Sequence, residues 1–272
     1  MPNNHLVFGT AWHKAMEYIR LHGYNDISVL NAFDAFLKEY RKEFAEDTDE
    51  IYTPKTPAIA LKALGKYVDQ YRSDEDDYEV LFTEIAITVP IAEDVVLHCR
   101  MDTIVEDRKE KRKGSLDFKT KKNAVNRQWR DQWLLSPQMG TYNHVLYCLY
   151  PYEEVFGLRI DGVFFFKTKV EFERVPVYRD RMSMRVWHWN MADWVYDLLD
   201  DYNKLSECSD EDEVLGCFHM NTGNCTKYFG CAYHDFCYAW PNPIQQSGEP
   251  PLGFKVEWWD PRKMESTHKM EL

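Results

Sequence analysis

The hydrophobic pattern of this sequence changes its period at one place, the acidic stretch SDEDD at 73–77. Before this stretch, apolar residues recur every three to four positions, which is the spacing of a helix face. After it, the segments 78–91 and 94–107 are rich in β-branched residues, which is typical of strands. A chain of 272 residues with a helical first part and a strand-rich second part buries its apolar faces by packing helices on a sheet.

The order of the predicted elements indicates the fold class. Helices are predicted over 10–22, 26–44, 55–72, 133–150 (with Pro137 near its start) and 179–205, and strands over 78–91, 94–107, 115–120 and twice within 157–177. This order predicts an α/β (α+β) fold in which a central mixed β-sheet is flanked by helices. We expect residues 1–208 to form this core and residues 209–272 to form a Cys-rich, Pro-containing C-terminal extension of the same structural unit.

The chain is acidic overall but has one basic segment. Its net charge of −12 argues against non-specific binding of nucleic acid. Between Arg108 and Lys122, however, eight basic residues stand against two acidic ones. An enzyme that acts on nucleic acid needs such a segment beside an acidic site, because phosphates must be drawn towards carboxylates. A solvated hairpin tip explains residues 108–113 equally well.

Targeting features and cysteine usage indicate a reducing compartment. The amino-terminal stretch MPNNHLVFGTAWHKAM lacks the basic and apolar regions of a secretory signal, and no run is long enough to cross a membrane. The seven cysteines are an odd number, which favours thiols that are buried or bind metal. We therefore expect a cytoplasmic protein, in a bacterium or in the host cytoplasm if it is phage-encoded, with no membrane partner.

The stretch SLDFKT places an acid and a base on one face of a predicted strand. Residues two apart in a strand point to the same side, so Asp117 and Lys119 lie together while Phe118 points the other way. Two further acids, Glu84 and Asp102, lie on the preceding predicted strands. Converging carboxylates repel one another unless a divalent cation neutralises them, and Mg²⁺ or Mn²⁺ suits a site of oxygen ligands. A plain salt bridge between Asp117 and Lys119 leaves the other two acids unexplained.

These residues resemble the signature of the PD-(D/E)XK nucleases, and in particular the RecB-type branch that includes CRISPR-adaptation and phage exonucleases. The matching motifs are GTAWHKAMEYI with His13, TEIAI with Glu84, CRMDTIVED with Asp102, LDFKT with Asp117 and Lys119, and SPQMGTYNHVL with Gln138 and Tyr142. They stand in the order of the family and cover residues 9–142, about half of the chain. Cys99 departs from the pattern, because glycine is common at this position. The resemblance implies a restriction-endonuclease-like core.

The resemblance also implies a role for each matching residue. The implied catalytic and metal-binding groups are His13, Glu84, Asp102, Asp117 and the backbone carbonyl of Phe118, with Lys119 as the catalytic residue that positions the attacking water. The implied cofactor is Mg²⁺ or Mn²⁺. The implied DNA-binding or site-bracing residues are Gln138 and Tyr142, and the basic residues expected to contact phosphates are Lys111, Arg112, Lys113, Lys121 and Lys122.

The activity that follows from the resemblance is that of a metal-dependent deoxyribonuclease. We expect an exonuclease that acts on single-stranded DNA or duplex ends and hydrolyses phosphodiester bonds with a metal-activated water. Its expected setting is DNA recombination, DNA repair, or phage or CRISPR DNA processing. The alternative is a non-catalytic nucleic-acid-binding or assembly subunit that keeps the fold with a degenerate site.

Two repeated patterns are interpreted without a catalytic role. The letters FKTK recur at 166–169, but Phe165 stands where the first copy has Asp117, so Lys167 is read as an ordinary strand-end charge. An apolar stripe runs along the last predicted helix with the period of a helix face, and we predict that it belongs to the core. Its members are Trp187, Met191, Trp194, Leu198 and Tyr202.

Four cysteines lie in the polar, glycine-containing C-terminal segment: Cys217, Cys225, Cys231 and Cys237. Some RecB-type nucleases hold a [4Fe-4S] cluster through three C-terminal cysteines, the last two of which have five residues between them, as Cys231 and Cys237 do. In that pattern, two residues separate the first and second of the three cysteines, and a fourth cysteine precedes the motif histidine. Here five residues separate Cys225 from Cys231, and no cysteine precedes His13. An iron–sulfur cluster, a zinc ion and free thiols therefore remain alternatives for this segment.

Overall fold

The computed structural model describes residues 3–123, 125–226, 230–246, 248–250, 252–263 and 268–271. The chain divides into two compact units. The first consists of Met1–Trp187 and Arg262–Leu272, and the second of His188–Pro261. The candidate site lies in the first unit. The division at residue 208 that the sequence suggested stays a prediction.

The helices and strands follow the predicted order closely. The α-helices are α1 (Asn4–His22), α2 (Asp26–Tyr40), α3 (Pro57–Gln70), α4 (Asp74–Asp77), α5 (Arg127–Asp131), α6 (Pro137–Leu149), α7 (Arg181–Leu205) and α8 (His234–Ala239). The strands are β1 (Tyr78–Ala92), β2 (Val95–Asp107), β3 (Lys113–Lys122), β4 (Val155–Phe165), β5 (Val170–Val177) and β6 (His268–Glu271). Among the described residues, no helix combines the length and the apolar character needed to cross a lipid bilayer.

Side-chain caps decide where two of the helices begin. The α1 helix starts at Asn4, because the Asn3 side chain accepts a hydrogen bond of 2.9 Å from the His5 N–H. The predicted start at residue 10 was therefore wrong. The α6 helix starts at Pro137, where a missing N–H costs nothing, and Ser136 caps it. The predicted helix began four residues earlier, at 133, although Pro137 was expected near its start.

The described strands form one mixed sheet with the order β5-β4-β3-β2-β1-β6. The pairs β3–β4 and β1–β6 are parallel, and the other neighbouring pairs are antiparallel. The predicted mixed sheet flanked by helices is thus confirmed. The edge strand β6 was not predicted, because its four residues carry one large apolar side chain, Met270.

Helices cover both faces of this sheet. On one face, α1, α2 and α3 bury aromatic side chains against Phe118 and Phe165. On the other face, α6 packs against β-branched and other apolar residues such as Ile85, Met101 and Ile160. Phe118 therefore points towards α1, and its neighbours Asp117 and Lys119 point away from that core, on the opposite face as predicted.

The stripe along α7 is not a core stripe along its whole length. Trp187 is buried, and its indole lies so close to α6 that a Cβ on Gly140 would sit 2.1 Å from its Nε1. Beyond it, Trp194, Leu198 and Tyr202 are 56%, 57% and 68% exposed. The prediction that the stripe belongs to the core is wrong for these three residues. A helical period shows that one face is apolar, but it does not show that another element covers that face.

Candidate metal centre

Acidic residues of three neighbouring strands meet at one point of the sheet. In the β1–β2 ladder, Glu84 lies opposite Asp102, because the residues on both sides of them are paired. The β2–β3 ladder ends one step before Asp102 and Asp117, so these two acids stand opposite each other where the strands begin to separate. The three carboxylates that the sequence analysis singled out are therefore neighbours.

The backbone conformation and the burial of Glu84 are both energetically unfavourable. Its φ of 43° lies in the left-handed region, which residues with a side chain rarely adopt and which tends to occur at functional sites. Its side chain is also buried. Burial and the nearby charge of Asp102 raise the pKa of Glu84, while Arg100, whose Nε lies 3.4 Å from Glu84 Oε2, lowers it. A bound cation would relieve the repulsion between the two acids.

The gap between β2 and β3 makes the backbone of Phe118 available to side chains. The Phe118 N–H donates a hydrogen bond of 2.9 Å to Asp102 Oδ2, which leaves Oδ1 of this carboxylate for another partner. His13, from α1, lies with its Nε2 2.9 Å from the Phe118 carbonyl oxygen and its Nδ1 3.4 Å from Asp102 Oδ1. Both neighbours are acceptors, and a neutral imidazole has one N–H for the two of them. A cation at this point would take the lone pair of the other ring nitrogen.

Asp117 and Lys119 form a buried ion pair next to these groups. The Lys119 Nζ lies 2.5 Å from Asp117 Oδ2, and Asp117 Oδ1 has no hydrogen-bond partner within the described residues. Burial raises the pKa of Asp117 to about 6, in spite of the opposing charge of Lys119. Burial alone would lower the pKa of Lys119, but Asp117 and Asp102 raise it above its ordinary value. Lys119 is therefore a cation at neutral pH.

The chemistry of this donor set fits a divalent cation. One ligand atom each from His13, Glu84 and Asp102 lies within 4.8 Å of the others, and no further group of three such side chains occurs in the part of the chain that the structure describes. Asp117 is adjacent and turns one oxygen to Lys119. Carboxylates with a single imidazole are ligands that suit Mg²⁺ and Mn²⁺. The groups open into a cleft of about 390 Å³.

Gln138 and Tyr142 brace the strand that carries Asp102. The Gln138 side-chain amide donates a hydrogen bond of 2.9 Å to the Tyr142 hydroxyl, which itself donates one of 2.7 Å to the Arg100 carbonyl oxygen. Arg100 precedes Asp102 by two residues in β2. Tyr142 is buried, and its pKa is raised by burial and by the charges of Asp117 and Asp102. Of the two implied roles, bracing the site is the one that these contacts favour.

The brace leads to a testable expectation. Tyr142→Phe removes the hydroxyl that holds β2, and we expect metal affinity or cleavage activity to fall by about tenfold to a hundredfold, the usual effect of losing an outer-shell partner. Tyr147→Phe is a matched control, because this α6 tyrosine donates an equivalent hydrogen bond of 2.8 Å to the Arg179 carbonyl oxygen, away from the acids. Both variants should lose similar stability in thermal unfolding. Equal activity of the two variants would contradict the bracing role.

The basic residues expected to contact phosphates divide into two groups. The first group lies at the hairpin end of β3 and is paired with acids: Lys111 with Glu106, Arg112 with Glu110, and Lys113 with Glu106 and Glu154, at 2.9 to 3.5 Å. Lys113 is six residues from Lys119, roughly 20 Å along a strand. The second group, Lys121 and Lys122, ends the same strand just after Lys119 and has no ion-pair partner among the described residues. Of the two groups, only the second directly follows Asp117 and Lys119 in the same strand.

The four C-terminal cysteines are not drawn together into one group. Cys217 is buried, and its Sγ lies 3.9 Å from that of Cys208, a residue that the sequence analysis did not single out. Cys231 and Cys237 are exposed, and the backbone N–H of Cys231 bonds to the Cys225 carbonyl oxygen. No three of these thiols form a candidate metal group in the described chain. Cluster binding stays a prediction.

Several cleft residues were missed by sequence reasoning. The lining includes His5, Gly9, Lys14, Arg100 and Thr120 in addition to Glu84, Lys119 and His13. Arg100 was recognisable, because strand alternation puts it on the same face as Asp102. His5 and Gly9 were recognisable in principle, since they precede His13 by two turns and one turn of the same helix. They were overlooked because α1 was predicted to begin at residue 10, after both of them.

Comparison with known proteins adds little to this site. No family model matches the sequence, and no curated protein matches it. Among solved structures, the crystal structure of SSO0001 is similar at 13% sequence identity and a TM-score of 0.27, over 70% of this chain and 86% of that one.

Proposed function

We propose that this chain is a metal-dependent nuclease of the PD-(D/E)XK type that hydrolyses phosphodiester bonds in DNA. The observation that carries the proposal is the meeting of Glu84, Asp102 and Asp117 from three neighbouring strands, at the point where β2 separates from β3. Lys119 and His13 complete the group. A structural salt-bridge network would give each acid a cation, but here Lys119 pairs with Asp117 and Arg100 approaches Glu84, so two permanent cations stand against three acids.

The residues proposed to hold the cation are His13, Glu84, Asp102 and Asp117, with the Phe118 carbonyl. Three of these already place ligand atoms within 4.8 Å of one another, and Asp117 Oδ1 is buried without a hydrogen-bond partner among the described residues. A divalent cation held there would neutralise the carboxylates and polarise the phosphate and the attacking water. The chemistry of the donors favours Mg²⁺ or Mn²⁺.

The protein side chains have separate tasks in this proposal. Lys119 is protonated at neutral pH, so it orients the water and the phosphate by donating hydrogen bonds and does not serve as a base. Asp117 holds the ammonium of Lys119 in place, and the centre of the Trp133 ring lies 5.8 Å from the same Nζ. Asp102 is oriented by the Phe118 N–H. These contacts prepare the geometry before substrate binds, which is how most of a phosphoryl-transfer barrier is lowered.

The proposal is tested by digestion of labelled DNA. Single-stranded and duplex DNA with a label on the 5′ or the 3′ end should be degraded in the presence of Mg²⁺ or Mn²⁺ and should stay intact in EDTA. Early release of the label as mononucleotide from one end would support the exonuclease form of the proposal, and a ladder of internal fragments would support an endonuclease. Binding of DNA without cleavage under any of these metals would favour the non-catalytic alternative.

The salt dependence of DNA binding is expected to separate the two basic groups. Replacing Lys121 and Lys122 with alanine should reduce the slope of log K against log salt by roughly 0.7 to 0.9 for each phosphate that the variant no longer neutralises. Replacing Lys111 and Lys113 with alanine should change the slope less, because their charges are already paired with Glu106 and Glu154. The slopes are measured by fluorescence anisotropy at several salt concentrations. A larger change of the slope in the Lys111 and Lys113 variant would mean that the hairpin end of β3 is the phosphate-binding surface.

A further inference from the structure

A buried lysine lies behind the wall of the cleft, beyond Lys119 along β3. Lys55, just before α3, is 2% exposed. Its Nζ donates hydrogen bonds to Thr120 Oγ1 at 2.9 Å and to the Thr120 carbonyl oxygen at 3.3 Å. It also lies 5.4 Å from the centre of the Phe8 ring. All of these partners are neutral.

Within the described residues, no carboxylate forms an ion pair with Lys55. Burial and the charge of Lys122 lower the pKa of Lys55 to about 8, so most of it is charged at neutral pH. A buried charge without a counter-charge is unfavourable, and proteins retain one where it serves a purpose. The missing counter-charge is therefore expected from outside the chain.

Thr120 connects this charge to the cleft. Its hydroxyl oxygen accepts a hydrogen bond from Lys55 Nζ, so its own O–H is directed elsewhere, and no acceptor for it occurs in the described part of the chain. Thr120 lines the cleft together with His5 and Gly9. A Cβ on Gly9 would touch Thr120 Oγ1 at 3.8 Å, so the absence of a side chain at Gly9 keeps this side of the hydroxyl uncovered.

The charges around this end of the cleft are positive on balance. Burial and the positive charges of Lys55 and Lys122 lower the pKa of His5. Glu39 also lines the cleft, but Lys42 neutralises it at 2.6 Å. The remaining cleft acid, Glu84, belongs to the metal centre. From His13 to His5 the cleft follows α1 for about two turns, roughly 11 Å, which is more than the rise of about 3.4 Å for one nucleotide of a duplex strand.

We infer that this end of the cleft is a phosphate-binding subsite, in which the Thr120 hydroxyl and His5 contact the phosphate and Lys55 neutralises it from behind. The ligand is a phosphate group of the same nucleic-acid strand, a few nucleotides from the one that reacts, or a free phosphate of the same chemistry. The assignment to a nucleic-acid strand rests on the proposed function, whereas the binding of a phosphate group does not.

The binding test uses the full chain and inorganic phosphate, without any measurement of cleavage. In EDTA, and again in Mg²⁺, phosphate should raise the unfolding temperature of the wild-type protein more than sodium chloride of equal ionic strength does. Lys55→Met should weaken phosphate affinity at least about tenfold while folding normally, because it removes a buried charge and keeps the length of the side chain. Thr120→Val should weaken it similarly, since it removes the donor and keeps the shape. Lys167→Met, which changes an exposed lysine, should bind phosphate as the wild type does.

The outcomes separate the subsite from the nuclease proposal. Phosphate stabilisation that is the same in wild type, Lys55→Met and Thr120→Val, or no stabilisation beyond that of sodium chloride, would overturn the subsite. Oligonucleotides with a 5′-phosphate, a 3′-phosphate or hydroxyl ends, compared in EDTA, then identify the source: tighter binding of one phosphorylated end that is lost in Lys55→Met supports a strand phosphate. Phosphate binding that depends on Lys55 in a protein that cleaves no DNA would support the subsite and contradict the nuclease. DNA cleavage by a protein that shows no Lys55-dependent phosphate binding would support the nuclease and contradict the subsite.

Discussion

Replacing Asp117 with asparagine is expected to lower the rate of DNA cleavage by about a hundredfold to a thousandfold, with DNA affinity largely unchanged. The substitution removes a carboxylate that anchors Lys119 and borders the proposed cation, and its position is fully buried, so it makes no contact with a phosphate in solution. Single-turnover cleavage measures the first effect, and anisotropy in EDTA measures the second. The unfolding temperature should not fall much, because burial already makes the ionised form of Asp117 unfavourable.

The repeated FKTK letters supply the control for this experiment. Lys119→Met should cause a loss as deep as that of Asp117→Asn, because the ammonium and the carboxylate act as one unit. Lys167→Met changes the second copy, whose lysine is exposed between β4 and β5, and should cleave DNA as the wild type does. Full activity of Asp117→Asn, or equal activity of the two lysine variants, would show that the catalytic centre lies elsewhere.

The arrangement of the site was predictable from the sequence where local rules apply. Strand alternation predicted that Asp117 and Lys119 share one face and that Phe118 points to the other, and the structure has both features. Gln138 and Tyr142 are four residues apart, a spacing that puts both on one face of a helix, and they are hydrogen-bonded. In each case, the period of the backbone alone determines which side chains are neighbours.

Contacts between distant segments were not predictable in the same way. The hairpin lysines appeared as an excess of positive charge in the sequence, but Glu106 belongs to the partner strand and Glu154 precedes β4, so their pairing depends on the register of the sheet. The backbone contact of His13 with Phe118 spans 105 residues and requires β2 and β3 to separate. The exposure of Trp194 depends on what else packs beside α7. None of these is encoded in a local period.

The largest effect on stability is expected from a buried network that the sequence analysis did not detect. Arg174 of β5 donates to Asp74 at 2.7 and 2.8 Å and to Asp161 at 2.6 and 2.7 Å, and Arg20 of α1 contacts the same two acids at 3.1 and 3.5 Å. The Tyr67 hydroxyl donates to Asp161 as well. The network joins α1, α3, α4, β4 and β5. Removing one cation leaves buried carboxylates short of a partner.

Arg174→Met should therefore lower the free energy of unfolding at neutral pH by about 3 to 5 kcal/mol, as measured in urea. Arg181→Met is the matched control, because Arg181 pairs with Glu153 at 2.6 Å but both side chains are about 70% exposed. Its loss should not exceed about 1 kcal/mol. Similar losses in both variants would mean that the buried network contributes no more than a surface ion pair.

The difference between wild type and Arg174→Met should also depend on pH, and its direction follows from Asp74. Burial alone would raise the pKa of Asp74, but hydrogen bonds from Arg174 and the charge of Arg20 hold it below its ordinary value. A depressed carboxyl pKa contributes stability above the pKa of the unfolded chain, about 3.9, and this stability is lost as the pH falls through the folded value.

In Arg174→Met the strongest of these hydrogen bonds is gone, burial has more influence, and Asp74 accepts its proton at a higher pH. The gap in unfolding free energy should therefore be largest at pH 7, should begin to shrink where Asp74 of the variant takes up its proton, and should stop shrinking below the depressed wild-type pKa of Asp74. A gap of constant size over this range would mean that Arg174 stabilises the protein by packing and not by its charge.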